Sequence, residues 1–166
     1  MKFTNYIKLK ILSAILLLSL SSHAQNLSVI KLPKLLEIMT PQDDTTYVIN
    51  FWATWCMPCV MEFKNFQDIS KKYGGEKVKV VFINLDFFRT YKKSLIPFLK
   101  ARDVTEQVYL LNEHDYNSWI DKVDKNWDGE IPATLFINHA KNIKQFIARP
   151  FNYKELEETI QPLISK

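Results

Sequence analysis

The chain has 166 residues, with 22 Lys and Arg against 18 Asp and Glu and a formal net charge of +4; 47% of residues are apolar and 24% charged. Such a composition excludes a disordered or fibrous chain, and the length suits one domain with a real core. Only two cysteines are present, which excludes a multi-disulfide scaffold.

Residues 1–24 read as an address. Lys2, Lys8 and Lys10 form a basic start without an acid, Ile11–Leu20 is an apolar run, and Ser22-His23-Ala24 offers small residues at the cleavage positions. That order predicts a secretory signal peptide cut after Ala24. The alternative is an uncleaved membrane anchor, but the run is shorter than the ~20 residues a spanning helix needs. Without residues 1–24 the chain keeps 19 basic against 18 acidic residues, a net +1. The positive balance therefore belongs to the export segment, and no face of spaced Lys and Arg predicts nucleic-acid binding.

Residues 25–44 are expected to be a loosely structured lead-in, with one helical turn around Lys34–Met39. Thr45–Trp52 is β-branched and aromatic almost throughout, which predicts a buried central strand. From Pro58 to Tyr73 the apolar residues Val60, Phe63, Phe66, Ile69 and Tyr73 recur at steps of three and four, an amphipathic helix ended by Gly74-Gly75. Val78–Leu85 reads as a second buried strand. Thr90–Arg102 reads as a helix in which Pro97 marks a kink or the true start. Gln107–Leu111 is a short strand and Asp115–Val123 a helical segment. Ala133–Asn138 and Ile143–Ala148 form a hairpin through His139–Asn142. Asn152–Ile164 closes the chain as a helix N-capped by Asn152. The predicted fold class is α/β, a mixed sheet with helices on both faces, since strands separated by helices need parallel crossovers and the hairpin is antiparallel.

Both cysteines lie in Trp55-Cys56-Met57-Pro58-Cys59, between the first strand and the helix it feeds. Two intervening residues on a first helical turn let the sulfurs meet as a disulfide. At the helix N-terminus, free N–H groups and the dipole stabilise a thiolate at Cys56, lowering its pKa from about 8.5 toward ~3.5–7. The thiolate is the attacking species in disulfide exchange, and Cys59, one turn further in, resolves the mixed disulfide. Zinc would need four ligands, and His114 and His139 have no metal-type partner nearby. A structural bridge across two residues closes almost no loop and so constrains the unfolded chain little. Asp124-Lys125-Asn126-Trp127-Asp128-Gly129 copies half of a calcium loop, but the twelfth position is Leu135 where a bidentate Glu is required, so it reads as a turn. Trp52, Trp55 and Trp127 read mainly as core or motif scaffolding, with a place for Trp55 and Trp127 in an aromatic docking surface flanking the disulfide as the second reading.

Asn50-Phe51-Trp52-Ala53-Thr54-Trp55-Cys56-Met57-Pro58-Cys59 followed by Glu62 resembles the active-site segment of thioredoxin-fold thiol-disulfide oxidoreductases, most of all the TlpA/ResA-like branch. Ile131-Pro132-Ala133-Thr134-Leu135-Phe136-Ile137 resembles that family's second signature. The resemblance covers most of residues 45–166 and implies a thioredoxin-like fold with a small helix-strand insertion at Thr90–Leu111. It makes Cys56 the exposed nucleophile, Cys59 the resolving thiol and Glu62 the buried acid that handles the resolving thiol's proton. Read alone, Glu62 would be a solvated surface residue. The resemblance also makes Pro132 a cis-proline facing the disulfide, with Ile131 presenting backbone to an extended substrate. Trp55, Met57, Pro58, Ile131 and Pro132 thereby form the substrate-binding surface. Asn50 stands where thioredoxin has a buried Asp, so the proton-handling role passes to Glu62.

The expected function is an exported, periplasmic exchange of disulfides with protein substrates, as a reductant fed by a membrane electron partner. No cofactor is expected beyond the redox-active disulfide Cys56–Cys59, no nucleic acid is bound, and the chain is a monomer. A disulfide oxidant or isomerase, a non-catalytic binding module and a thiol peroxidase are the alternatives. Known dithiol couples span about −270 to −120 mV, and Met57-Pro58 does not fix where this one falls.

Overall fold

The computed structural model describes residues 26–164. The expected signal peptide lies outside the described residues. In the expected lead-in, the helical turn is present as a helix, α1 (Leu32–Ile38), while the residues before it form a strand that was not expected, β1 (Leu27–Ile30). The reading missed β1 because a four-residue edge strand with two exposed positions has little apolar pattern. What holds it is pairing: Leu27–Ile30 lie in parallel register with Val108–Leu111.

The remaining elements are β2 (Thr46–Trp52), α2 (Met57–Tyr73), β3 (Val78–Asn84), α3 (Leu95–Ala101), β4 (Gln107–Leu111), a 3-10 turn (Tyr116–Ser118), α4 (Ile120–Val123), β5 (Ala133–Asn138), β6 (Ile143–Ile147) and α5 (Tyr153–Ile164). One six-stranded sheet results, in the order β1-β4-β3-β2-β5-β6. β1, β4, β3 and β2 are mutually parallel, while β2–β5 and β5–β6 are antiparallel. This is the mixed α/β sheet expected.

Strand alternation divides the core in two. From β2, Val48 and Trp52 enter one core with Phe63, Phe66 and Ile69 of α2, Leu99 of α3 and Leu156 and Ile160 of α5. Ile49 and Phe51 enter the other, with Leu35 of α1, Trp119, Val123 of α4 and Trp127. Side chains on a strand alternate between faces, so Asn50 joins the face of Val48 and Trp52, against α2. The stacked rings of Phe63 and Phe82, 4.2 Å between centroids, and Trp52 against Phe63 at 4.7 Å fill that layer.

Two local readings are corrected. Helix α3 begins at Leu95, not Thr90, because residues 90–94 take turns; Pro97 then sits in the first turn, where its missing N–H leaves no helical bond unmade. On α2 the buried stripe runs through Cys59 and Glu62, while Val60 is only half-buried. Gly74 ends α2 as expected, in a right-handed conformation (φ −58°), and the left-handed residue of that connection is Lys77 (φ 57°).

The N-cap expected at Asn152 is present as a reciprocal box. Its Oδ1 accepts from Glu155 N at 2.9 Å, and Glu155 Oε2 accepts from Asn152 N at 3.3 Å. Replacing Asn152 by Ala should cost about 1 kcal/mol. Urea unfolding of the two proteins measures this, and equal midpoints would show that the box adds nothing.

Candidate active site

β2 delivers the site. Its last residue, Trp52, accepts from Leu85 N at 2.8 Å, and the chain turns over Ala53, Thr54 and Trp55 before α2 begins. Cys56 is the N-cap of α2: it is extended (φ −87°, ψ 100°) and its Sγ accepts from Cys59 N at 3.3 Å. Such a cap satisfies one of the free N–H groups of the first turn. Cys56 and Cys59 form a disulfide with sulfurs 2.06 Å apart and Cα atoms 5.3 Å apart. The same N–H that contacts Cys56 Sγ is placed to stabilise a thiolate there after reduction.

Cys56 is more accessible than Cys59, 6% against 1%, yet it is far from fully exposed. This corrects the expectation of an exposed nucleophile. The exposure of this turn falls on its neighbours, Trp55 at 58% and Met57 at 67%, with Pro58 also exposed. They form the exposed rim of the turn that holds the disulfide.

The second signature folds over the first. The Ile131–Pro132 bond is cis, and the Ile131 carbonyl oxygen lies 3.6 Å from Cys56 Sγ. The two motifs, more than 70 residues apart in sequence, thus close on one sulfur. Trp127 secures that loop from behind: its Nε1 donates to Glu130 O at 2.8 Å, and its ring packs on Phe51 at 5.0 Å and Trp119 at 5.5 Å. It is 3% exposed, so it anchors the loop and is not part of a docking surface. In the preceding turn, Asp124 and Asp128 carboxylates accept from the backbone N–H groups of Asn126 and Glu130. Gly129 adopts φ 94°, a left-handed backbone that disfavours any side chain there.

Glu62 follows Cys59 by three residues, which places the two side chains on one face of α2 about 5–6 Å apart at Cβ. It is 2% exposed. Its Oε1 accepts from Asn50 Nδ2 at 3.0 Å and its Oε2 from Phe151 N at 2.6 Å. Asn50 Nδ2 also donates to Thr134 Oγ1 at 3.1 Å across the β2–β5 pair. Burial pushes the Glu62 carboxyl up to about 7, against the opposing pull of the Phe151 N–H, the Asn50 amide and Arg149. A carboxyl poised near neutral pH can both take and return a proton.

Two participants were not read from the sequence. Asp86, just beyond β3 and 4% exposed, accepts from Thr54 N at 2.7 Å, Thr54 Oγ1 at 2.8 Å and Ser94 Oγ at 2.9 Å. It clamps the turn before Cys56 to the start of α3. Its signal in the sequence, an acid closing an apolar strand, is too common to single out. The Phe151 N–H, which holds Glu62, is a backbone group and leaves no sequence signal.

A family model described as AhpC/TSA family matches residues 35–146. The thiol-disulfide oxidoreductase ResA of Oceanobacillus iheyensis is 30% identical over 110 residues, 66% of this chain and 53% of that protein. The sporulation thiol-disulfide oxidoreductase A of Bacillus subtilis is 23% identical over 122 residues, 74% of this chain and 70% of that protein. The chain therefore spans about half the length of the first of these relatives. A thioredoxin-family thiol:disulfide interchange protein from Chlorobium tepidum TLS superposes with a TM-score of 0.60 at 19% identity, over 73% of this chain and 81% of that one. At that identity the likeness shows the fold, which is thioredoxin-like.

Glu62 makes stability depend on pH. Its folded pKa, about 7, lies above the unfolded 4.5. The stability it contributes is therefore present below about pH 4.5 and lost as pH rises through about 7, a loss of roughly 3 kcal/mol. Unfolding of the oxidised protein at pH 5 and pH 8 should show this loss in the wild type and not in Glu62→Gln. Parallel profiles would show that Glu62 is not the titrating group.

Proposed function

The chain belongs to the AhpC/TSA family, and on that premise we propose that it is an exported thiol-disulfide oxidoreductase that reduces disulfides of protein substrates. The observation that carries the reading is the Cys56–Cys59 disulfide at the N-cap of α2, facing the Ile131–Pro132 loop, with a proton-exchanging carboxyl one turn behind it.

Reaction starts from the reduced protein. The Cys56 thiolate, held by the Cys59 N–H, attacks one sulfur of a substrate disulfide. A Cys56–substrate mixed disulfide forms and the other substrate sulfur leaves as a thiolate, which takes a proton. Glu62 as the carboxylate removes the proton of the Cys59 thiol. Cys59 then attacks Cys56 Sγ and expels the second substrate thiolate. Two electrons have passed to the substrate and the Cys56–Cys59 disulfide remains. A dithiol partner, proposed to be a membrane protein, restores the reduced form. No cofactor enters these steps, and the protein acts as a monomer.

Asn50 suits this proton cycle in a way that an aspartate would not. An amide donates to Glu62 when Glu62 is ionised, and its oxygen can accept when Glu62 is protonated. Asn50 Oδ1 is buried without a hydrogen-bond partner among the described residues, so that acceptor is open. The thiol peroxidase reading is less well supported, because the polar groups against Cys56 Sγ among the described residues are the Cys59 N–H and the Ile131 carbonyl, not an arginine.

The Cys59→Ser variant should accumulate mixed disulfides at Cys56 in cells, separable on a non-reducing gel, and Cys56→Ser should abolish them. No adduct in Cys59→Ser would rule out protein-disulfide exchange. Equilibration of the wild type with glutathione should place the couple toward the reducing end, near about −270 mV; a value near about −120 mV would assign it as an oxidant. Export predicts that the mature protein begins at Gln25, which N-terminal sequencing checks, and a retained Met1 would contradict the cleaved signal.

A further inference from the structure

A second concave site shares the edge of the sheet on which the disulfide sits. β2, β3 and β4 are parallel, so their C-terminal ends lie side by side, with Trp52 registered on Asn84 and Asn84 on Leu110. The disulfide follows the end of β2. Beyond the ends of β3 and β4 lies a cavity of about 580 Å³, floored by Leu85, Leu111 and Trp119 and flanked by Phe87, Phe88 and Tyr116. A crevice at the carboxyl ends of parallel strands is where α/β sheets bind ligands. This one is joined to the active-site turn by two hydrogen bonds already described, Leu85 N to Trp52 O and Thr54 N to Asp86 Oδ1.

Its rim, residues 87–94, has an unusual composition for a solvated turn. It carries Arg89, which lines the cavity, and Lys92 and Lys93, which lie further along the same turn, and no acid, while residues 25–166 as a whole have a net charge of only +1. The two acids of the lining are already engaged, Asp86 by Thr54 and Ser94 and Glu113 by the Leu32 N–H and Lys31. All three cations are exposed, and none enters an ion pair among the described residues. Phe87 and Phe88 are 65% and 45% exposed, and Tyr116, which also lines the cavity, is 47% exposed. A contiguous exposed apolar patch marks an interaction surface more often than a folding requirement. The rim is also held in one shape. Phe87 O accepts from Thr90 N and Tyr91 N, Thr90 O from Lys93 N and Ser94 N, and Asp86 Oδ2 from Ser94 Oγ. Phe88 stacks on Tyr91 with centroids 5.4 Å apart.

We propose that this cavity and its rim dock an acidic segment of the partner polypeptide, next to the disulfide it brings to Cys56, with one aromatic or long aliphatic side chain of that segment seated in the cavity. The proposal rests on the thiol-disulfide exchange reading above. The unpaired cations call for anionic residues, and the apolar floor takes a side chain that water solvates poorly. A concave site at the reacting edge suits a polypeptide better than a bilayer, which is flat and offers nothing to fill a cavity. Prior ordering of the rim lowers the cost of binding.

The test uses two disulfide-bridged peptides of equal length, one flanked by Asp-Phe-Asp and the other by Lys-Ser-Lys. The wild type should reduce the acidic peptide with a kcat/KM about tenfold higher at low salt, and the preference should shrink as salt screens the rim. The double variant Lys92→Glu/Lys93→Glu should erase or invert the preference. Equal turnover of both peptides by the wild type would overturn the proposal. Turnover of neither would count against the exchange reading itself, and docking is then decided without chemistry. For that, a cysteine-free fluorescent Asp-Phe-Asp peptide is titrated into the oxidised protein. Saturable anisotropy lost in the double variant and in Phe88→Ser supports docking; no binding overturns it. Binding to phosphatidylglycerol vesicles with no binding of the peptide would also overturn it, by assigning the rim to a membrane surface.

Discussion

All seven residues of β2 pair with β3 and five of them, Tyr47–Phe51, pair with β5 on the other edge, and helices pack on both faces. Nothing in that strand is free to slip, because a shift of one residue would move every side chain to the opposite face. That constraint sets the height of Trp52 at the sheet edge and so the point at which Cys56 begins α2. It also aims Asn50 at α2, where Glu62 meets it. Both halves of the chemistry, the sulfurs above and the carboxyl below, are referenced to one immobile strand.

Glu62 is the costly part of the arrangement. Removing a carboxylate from water is unfavourable, and the amide of Asn50 and the N–H of Phe151 offset only part of that. The remainder appears as a raised pKa, which suits the resolving step proposed above. Stability near neutral pH is thus lost to a buried carboxyl that titrates one turn from Cys59. The clamp at Asp86 works differently: three donors converge on it and fasten the turn that carries Trp55 and Cys56 to the start of α3. Through that residue the disulfide and the cavity beyond β3 and β4 share one wall.

Much of this was readable without coordinates. The strand at Thr45–Trp52, the stripe of α2, the hairpin and the Asn152 cap all follow from local periodicity or from a side chain bonding its own neighbourhood. Glu62 was different. Its own residues favoured a solvated position, and only the resemblance placed it inside; burial was settled by Phe151 and Asn50, which approach from other elements. Trp127 reads mainly as scaffolding in the sequence, and its packing on Phe51 and Trp119 chooses the core over the rim. The start of α3 was misplaced because residues 90–94 keep helix-compatible composition while Ser94 and Thr90 bond into turns. Strand β1 has almost no pattern of its own and exists because β4 offers it an edge.

The identity of the reacting atoms was therefore decided in the chain itself. Two cysteines separated by two residues, opening a helix after a buried strand, must lie close enough to bond, because the spacing acts within one turn. Their surroundings were decided in three dimensions. The Ile131 carbonyl at Cys56, the amide and N–H that hold Glu62, and the basic aromatic rim beside the disulfide come from segments remote in sequence. Distances of that kind depend on how strands register and helices pack, and those are properties of the whole core rather than of any stretch of residues.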